Sequence, residues 1–329
     1  MPTFEEVHRY YRQRLDGIEP DSARAFYEIM VARFIVLSAS LPFALGAVLA
    51  YFETGQFNWP VFIVSSVTVF LIVGAVNAGN TYFDYETDLN NWEFSAYSGG
   101  IRVLVENKIT NRKRALYFAV GLLVAALPLG LSLRFLLHTG PWTIPLGLFG
   151  ALAGWFYTGK PLMLVYHSMG ELVIATCSGA LTVISGYYLQ AGRFSPALVP
   201  LAVSLALSIL NVILANEFAD RRTDAQSGKR TWLVVLGPQR ASVMYRVNLV
   251  ISLAFMATAW LWGVPVYAAL IPLGFALPTA VDNFRKMAQR GYEGDGINAL
   301  TLNTFKVHFA LELFGAVCLL VGGLARWLT

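Results

Sequence analysis

Apolar residues in this chain come in long runs rather than in alternation with polar ones. "FIVLSASLPFALGAVLAYF" (34–52) and "ALVPLAVSLALSIL" (197–210) are typical. A predominantly apolar run of about 20 residues can cross a hydrocarbon core of roughly 30 Å as a helix. A lipid-facing barrel would instead alternate polar with apolar. The pattern predicts nine spans, near 32–52, 59–83, 114–136, 141–159, 171–190, 197–219, 243–262, 264–281 and 306–325. Pro and Gly inside spans, as in "LPLGLSL" and "IPLGFALP", permit kinks, and a kinked bundle can open a portal to lipid. The expected fold is all-α: a polytopic membrane bundle of about nine transmembrane helices. One domain covers 1–329, with 1–30 as a cytoplasmic or interfacial N-terminal segment.

Composition agrees with this class. The 329 residues are 56% hydrophobic and 13% charged, against about 45–50% and 25% for a soluble domain. The first apolar run follows a mostly polar leader, unlike the early, short h-region of a cleavable signal, so none is expected. Cys177 and Cys318 both fall in apolar runs and form no CxxC pair, which argues for buried thiols rather than metal capture.

Charge sets the orientation. Cytoplasmic loops carry the Lys and Arg of a membrane protein. With the N-terminus inside, loops 84–113, 160–170, 220–242 and 282–305 are inside as well. Of 24 Lys and Arg, only Arg134, Arg193 and Arg326 then fall at the outer side. The net charge of +4 thus belongs mostly to the inner surface, and no nucleic-acid partner is expected. The leader "PTFEEVHRYYRQRL" has a capping box in Thr3 and Glu6, and Phe4, Val7, Tyr11 and Leu15 recur near helical spacing. It reads as a surface-lying amphipathic helix or as a solvated leader.

Two polar stripes interrupt the apolar pattern. Asn80, Asp84 and Asp88 form N-x3-D-x3-D in "NAGNTYFDYETDLNN", and Asn216, Asp220 and Asp224 repeat it in "NEFADRRTD". Residues four apart share a helix face, so each stripe offers one amide and two carboxylates. The first lies at the end of the second span and the second at the end of the sixth. An even number of spans separates them, so both face one compartment. Four clustered carboxylates would repel and hold protons. A divalent cation resolves this, and an all-oxygen donor set suits Mg²⁺, which usually also binds substrate phosphate. Basic residues flank both stripes: Arg102, Lys160, Arg221, Arg222, Lys229 and Arg230. Acids, a metal and cations at a membrane face predict a site for a diphosphate whose tail lies among the helices. A single acidic cluster at a helix end is usually a solvated loop; the second copy with identical spacing argues against that here. Ion-coupled transport is the rival reading, but both stripes face one side, whereas many transporter sites lie near the midplane.

These motifs resemble the UbiA superfamily of intramembrane prenyltransferases. "SGGIRVLVENKIT" (98–110) follows the first motif as a similar segment does in that family. "YTGKPLMLVYHSMGELVIATCSGALTVISGYYLQAGRFS" (157–195) and "ANEFADRRTDAQSGKRTWLVVLG" (215–237) look like 1,4-dihydroxy-2-naphthoate polyprenyltransferases, the menaquinone branch. The likeness is good over 30–240 and weak beyond. Many members of that branch have Asp where this chain has Thr81, and often separate the first motif's acids by five residues rather than three.

The resemblance implies transfer of an isoprenoid chain from a prenyl diphosphate to a small aromatic acceptor, a naphthoate in menaquinone biosynthesis. Hydroxybenzoate, homogentisate, a glycerol-phosphate lipid, a sugar phosphate or cyclisation would use the same ionisation. It implies two Mg²⁺ ions on Asp84, Asp88, Asp220 and Asp224, with Asn80 and Asn216 positioning phosphate or metal waters. Arg102, Lys160 and Lys229 are expected to touch the diphosphate. Arg222, like Arg221 and Arg230, either joins them or belongs to the ordinary basic inner face. Tyr157 resembles a family tyrosine near the reacting carbon, where an aromatic face would favour a cation; the alternative is an interfacial belt residue. Glu171 or Glu217 could orient the acceptor or take its proton. His308 and Glu312, four apart in the ninth span, read as a structural pair or as acceptor contacts. Tyr82, Phe83, Tyr187 and Tyr188 read as packing residues, and His167 as a polar loop residue. The expected location is the cytoplasmic (inner) membrane, with the site facing the cytoplasm.

Overall fold

A computed structural model describes residues 9, 13, 15–30, 35–91, 100–293 and 296–327. The expected capping box at Thr3 and Glu6 lies outside them, as does the start of the first span. The described residues are helical and turn, with no strand. We number the helices α1 (Ala23–Met30), α2 (Ile35–Thr54), α3 (Trp59–Phe83), α4 (Tyr85–Asn90), α5 (Arg112–Phe135) and α6 (Thr143–Trp155). They continue as α7 (Gly170–Ala191), α8 (Leu198–Gln226), α9 (Trp232–Thr258), α10 (Val266–Ala288) and α11 (Gly296–Trp327).

Local chemistry fixes several of the ends. The Asn58 side chain accepts from Val61 N at 3.1 Å to cap α3, and Pro60 sits in the first turn, where its missing N–H costs nothing. Asn111 caps α5 by accepting from Lys113 N at 2.9 Å. Gly192, at φ +68°, closes α7 in the left-handed region. Inside α7, Ala175–Leu181 winds as a π-helix, a form frequent at functional sites.

Among the described residues, eight helices are long and apolar enough to cross a membrane, against about nine expected. The fourth predicted span is the exception. α6 has 13 residues, about 20 Å at 1.5 Å per residue. The chain turns at Phe156 instead of running on to 159, before Gly159 and Pro161. Other ends move: α8 runs to Gln226 rather than 219 and α10 to Ala288 rather than 281. α9 starts at Trp232 rather than 243, because a kink at Gly237 (φ +74°) and Pro238 joins a short first turn to the span. α11 starts at Gly296 rather than 306 and runs 32 residues.

The most enclosed helix is α8, with 72% of its apolar window buried against 22% for α5. It packs on α9, α11 and the π-turn of α7, while α3 packs on α5 and α2 on both α7 and α11. Residues 15–30 pack onto the loop before α5. Leu15, Ile18, Ala25 and Ile29 are buried against Val103, Leu104 and Ile109, and Asp21 pairs with Arg114 and accepts from Thr110 N at 3.1 Å. Lipid supplies no hydrophobic force between helices, so close backbone approach through small residues matters. Gly46 of α2 and Gly186 of α7 provide it reciprocally: a Cβ on Gly46 would strike Val183 O, and one on Gly186 would strike Phe43 O.

Gly186→Leu is therefore expected to destabilise the bundle by about 1–3 kcal/mol or more, lowering the melting temperature in detergent. An unchanged melting temperature would show that the α2–α7 contact tolerates separation.

Candidate active site

The two acidic stripes meet at one end of the bundle. α3 pauses for a single residue at Asp84 and resumes as α4; Asp84 N donates to Asn80 O and Asp88 N to Asp84 O, both at 2.8 Å. Helical register thus carries through Asn80, Asp84 and Asp88. The second stripe lies on unbroken α8. Lys229, in the turn after α8, bridges them. Its Nζ lies 3.3 Å from Asp84 Oδ1 and 4.0 Å from Asp224 Oδ1. Asn91 makes a second bridge: its Nδ2 donates to Asp220 Oδ1 at 3.0 Å, and its Oδ1 accepts from Thr223 Oγ1 at 3.1 Å. Asp88 and Asp224 are buried. Gly100, at φ +73°, closes over Asp88, since any Cβ there would fall on its carboxylate.

The electrostatics follow from this packing. Burial first, and then the neighbouring charges of Asp84 and Asp220, push the Asp88 carboxyl well above the usual range. Burial alone would favour the neutral amine of Lys229, but Asp84, Asp224 and Asp88 outweigh it and hold the ammonium well above the ordinary lysine range. Acidic side chains outnumber the cation placed between the stripes, Lys229. Asp84 Oδ1 is buried and, apart from its ion pair with Lys229, accepts no hydrogen bond; Asn216 Oδ1 is buried with no hydrogen-bond partner. Among the described residues no three His, Cys, Asp or Glu side chains close on a common point, because the lysine stands between the acids. An excess of hard oxygen donors, one of them an unpartnered buried oxygen, fits a divalent cation.

Other expected site residues fall differently. Tyr157 lies at the mouth of a cavity beside Asn80. Burial, aided by Glu217, Glu171 and Asp84 against Lys229, pushes its phenol up. Thr158 Oγ1 donates to Asn80 Oδ1 at 2.7 Å, tying this turn to the first stripe. Arg102 is buried with its guanidinium turned into the protein: Nη1 donates to Asp88 O at 3.1 Å and Nε lies 3.6 Å from Glu106 Oε1. It anchors the loop around the first stripe, where phosphate contact was expected. Lys160 is exposed beyond Tyr157, and Arg222 is exposed on the outer side of α8. Sequence reasoning missed Asn91, Gly100 and Thr158. Asn91 was detectable: it continues the 80, 84, 88 stripe by three residues.

The cavity, about 280 Å³, runs from Asn80 and Tyr157 past Val76 and Leu146 to Ser65 and Thr143. Ser65 and Asn80 are separated along α3 by roughly 22 Å at 1.5 Å per residue. The hydroxyls of Ser65 and Thr68 donate to Val61 O (2.6 Å) and Val64 O (2.7 Å) in their own helix, which leaves an effectively apolar wall. Away from the cavity, His308 Nε2 lies 3.0 Å from Glu312 Oε1, both fully buried, and His308 Nδ1 meets Ser208 Oγ at 3.1 Å. This is the expected structural pair, pinning α11 to α8. Cys177 and Cys318 are free and half-buried, less enclosed than expected.

Residues 40–291 match the profile of the UbiA prenyltransferase family. A UbiA prenyltransferase domain-containing protein 1 from Danio rerio is 32% identical over 244 residues, covering 73% of this chain and 70% of the relative. A 1,4-dihydroxy-2-naphthoate octaprenyltransferase from Bacillus subtilis (strain 168) is 26% identical over 243 residues, 73% of this chain and 74% of the relative. The resemblance to the naphthoate branch is therefore matched or exceeded by one to vertebrate proteins. A UbiA homologue from Archaeoglobus fulgidus, whose structure was solved bound to GPP and Mg²⁺, shares the fold with a TM-score of 0.66 at 12% identity, over 90% of this chain and 99% of that one. With eight apolar helices long enough to span a bilayer and the family profile over residues 40–291, the chain belongs to the UbiA prenyltransferase family and is an integral membrane prenyltransferase.

Proposed function

We propose that this enzyme transfers an isoprenoid chain from a prenyl diphosphate to a small aromatic acceptor, with Mg²⁺ held by the two acidic stripes. One observation carries the reading: both stripes converge on Lys229 at the mouth of a long apolar cavity. Such a place receives a charged head and a hydrocarbon tail together. The same end-on position disfavours a midplane transport site.

Asp84, Asp88, Asp220 and Asp224, helped by Asn80 and Asn216, would hold the metal; Mg²⁺ there supplies charge stabilisation to the departing diphosphate. Lys229 is a point charge for a phosphate oxygen. Asn91 fixes the direction of Asp220, and Arg102 fixes the backbone at Asp88. The tail lies along α3 between Asn80 and Ser65. Tyr157, phenol protonated, offers its ring face to positive charge developing on the allylic carbon and helps to exclude water. Lys160 and Arg222 lie where an incoming diphosphate would first meet the protein. A naphthoate acceptor is supported by the Bacillus subtilis relative. The Lys and Arg asymmetry supports a site on the cytoplasmic face of the cytoplasmic membrane.

Purified protein offered geranyl diphosphate and a panel of dihydroxynaphthoate, hydroxybenzoate and homogentisate, with and without Mg²⁺, is expected to give a prenylated naphthoate only with metal, read by mass. Turnover of another acceptor alone would overturn the naphthoate assignment; turnover of none would overturn aromatic prenylation. Asp84→Ala and Asp220→Ala are each expected to cut turnover by at least about 100-fold while melting normally, and near-normal transfer by both would remove the metal roles. Asp88 must ionise to bind metal, and its carboxyl holds its proton to higher pH than usual. Protons therefore compete with Mg²⁺, and the Mg²⁺ concentration for half-maximal rate is expected to fall as pH rises toward neutrality. A pH-independent requirement would contradict this.

A further inference from the structure

Two buried acids beside the site belong to neither acidic stripe. Glu171 of α7 and Glu217 of α8 are 1% and 5% exposed and accept from the N–H groups of adjacent residues. Both point at the start of α9. Glu171 Oε1 accepts from Trp232 N, and Glu217 Oε2 accepts from Leu233 N at 3.3 Å. Thr231 Oγ1 takes the next amide, Val234 N, at 3.3 Å. Three successive N–H groups of the first turn are thus satisfied, two of them by acids from different spans.

Capping alone does not call for this. A Ser, Thr or Asn satisfies such donors without burying charge, and adjacent buried acids are costly. What they hold is continuous with the turn that carries Lys229. That turn is stapled at both ends. On the α8 side, Lys229 N donates to Asp224 O at 3.0 Å and Ser227 Oγ to the same carbonyl at 2.9 Å. On the α9 side, Ser168 Oγ donates to Arg230 O at 2.7 Å and Trp232 Nε1 to Ser168 O at 2.9 Å. The acid pair sits immediately beyond, at Trp232 and Leu233. Lysine is a flexible four-carbon stem, so its reach between Asp84 and Asp224 depends on where its backbone is fixed.

We propose that Glu171 and Glu217 are positioning residues for Lys229: they clamp the first turn of α9 and so set the ammonium between the two aspartate stripes. This rests on the reading of Lys229 as a diphosphate contact.

The test is a double-mutant cycle. Glu171→Ala is expected to raise KM for geranyl diphosphate about 10-fold with little change in melting temperature. Glu171→Gln, whose amide oxygen can still accept from Trp232 N, is expected to restore it. In a Lys229→Ala background, Glu171→Ala should add no further loss. An unchanged KM, or losses that multiply in the double variant, would overturn the proposal. If Glu171→Ala does not fold, Glu171→Asp, which withdraws the carboxylate from Trp232 N, enters the same cycle with the same criteria. Amide hydrogen exchange gives a readout independent of turnover: faster exchange across 229–233 in the Glu171 variant is expected, and unchanged exchange would refute the clamp. An inactive wild type with a clamp that loosens on substitution would instead sink the assigned function.

Discussion

Two acidic stripes meet at one lysine ammonium at the end of an apolar bundle, and most of the molecule serves to keep them there. Burial raises the cost of each charge, and like charges so close repel. Lys229 relieves part of that repulsion, 3.3 Å from Asp84 and 4.0 Å from Asp224. The remaining excess, with a buried unpartnered oxygen on Asn216, suits something positive and divalent. Under the proposed function the same lysine would then offer its charge to an anion arriving with the metal. An apo state held by an internal cation and a loaded state held by metal and diphosphate are two solutions to one electrostatic problem.

The fold makes that meeting possible through packing far from the charges. α8 runs through the centre and delivers the second stripe. α3 delivers the first and also forms one wall of the cavity, so head site and tail site are fixed relative to each other by one rigid helix. Gly46 and Gly186 bring α2 and α7 into backbone contact, and the buried His308–Glu312 pair pins α11 to α8 through Ser208. Polar side chains along the cavity turn their hydroxyls to their own helix. The wall they form is therefore suited to hydrocarbon.

Much of this was legible in the chain. Uninterrupted apolar runs mark the spans, because a lipid-crossing helix has to be apolar along its whole length. The repeated N-x3-D-x3-D spacing, with an even number of spans between copies, was enough to bring Asp84 and Asp220 to one side. Sequence reasoning failed where three-dimensional contact decides the role. α6 stops short at Trp155 because the chain turns to place Tyr157 and Thr158 against Asn80, and hydropathy does not record that turn. Arg102 reads as a phosphate contact from its charge, which leaves that role a proposal; its burial against Asp88 O is not visible in the sequence. Glu171 and Glu217 lie 46 residues apart, and nothing local announces that they share one helix start. Thr81, the departure from the naphthoate branch, spends its hydroxyl on Asn77 O at 2.8 Å.

The central claim is that both stripes grip one diphosphate. The most direct measurement is a structure of the enzyme with unreactive geranyl thiolodiphosphate and Mn²⁺, located by its anomalous signal. The account predicts metal and diphosphate between Asp84 and Asp88 on one side and Asp220 and Asp224 on the other. Lys229 should lie on a phosphate oxygen, and the geranyl chain should enter the cavity past Tyr157. A diphosphate held by one stripe alone, or a chain lying outside that cavity, would contradict it.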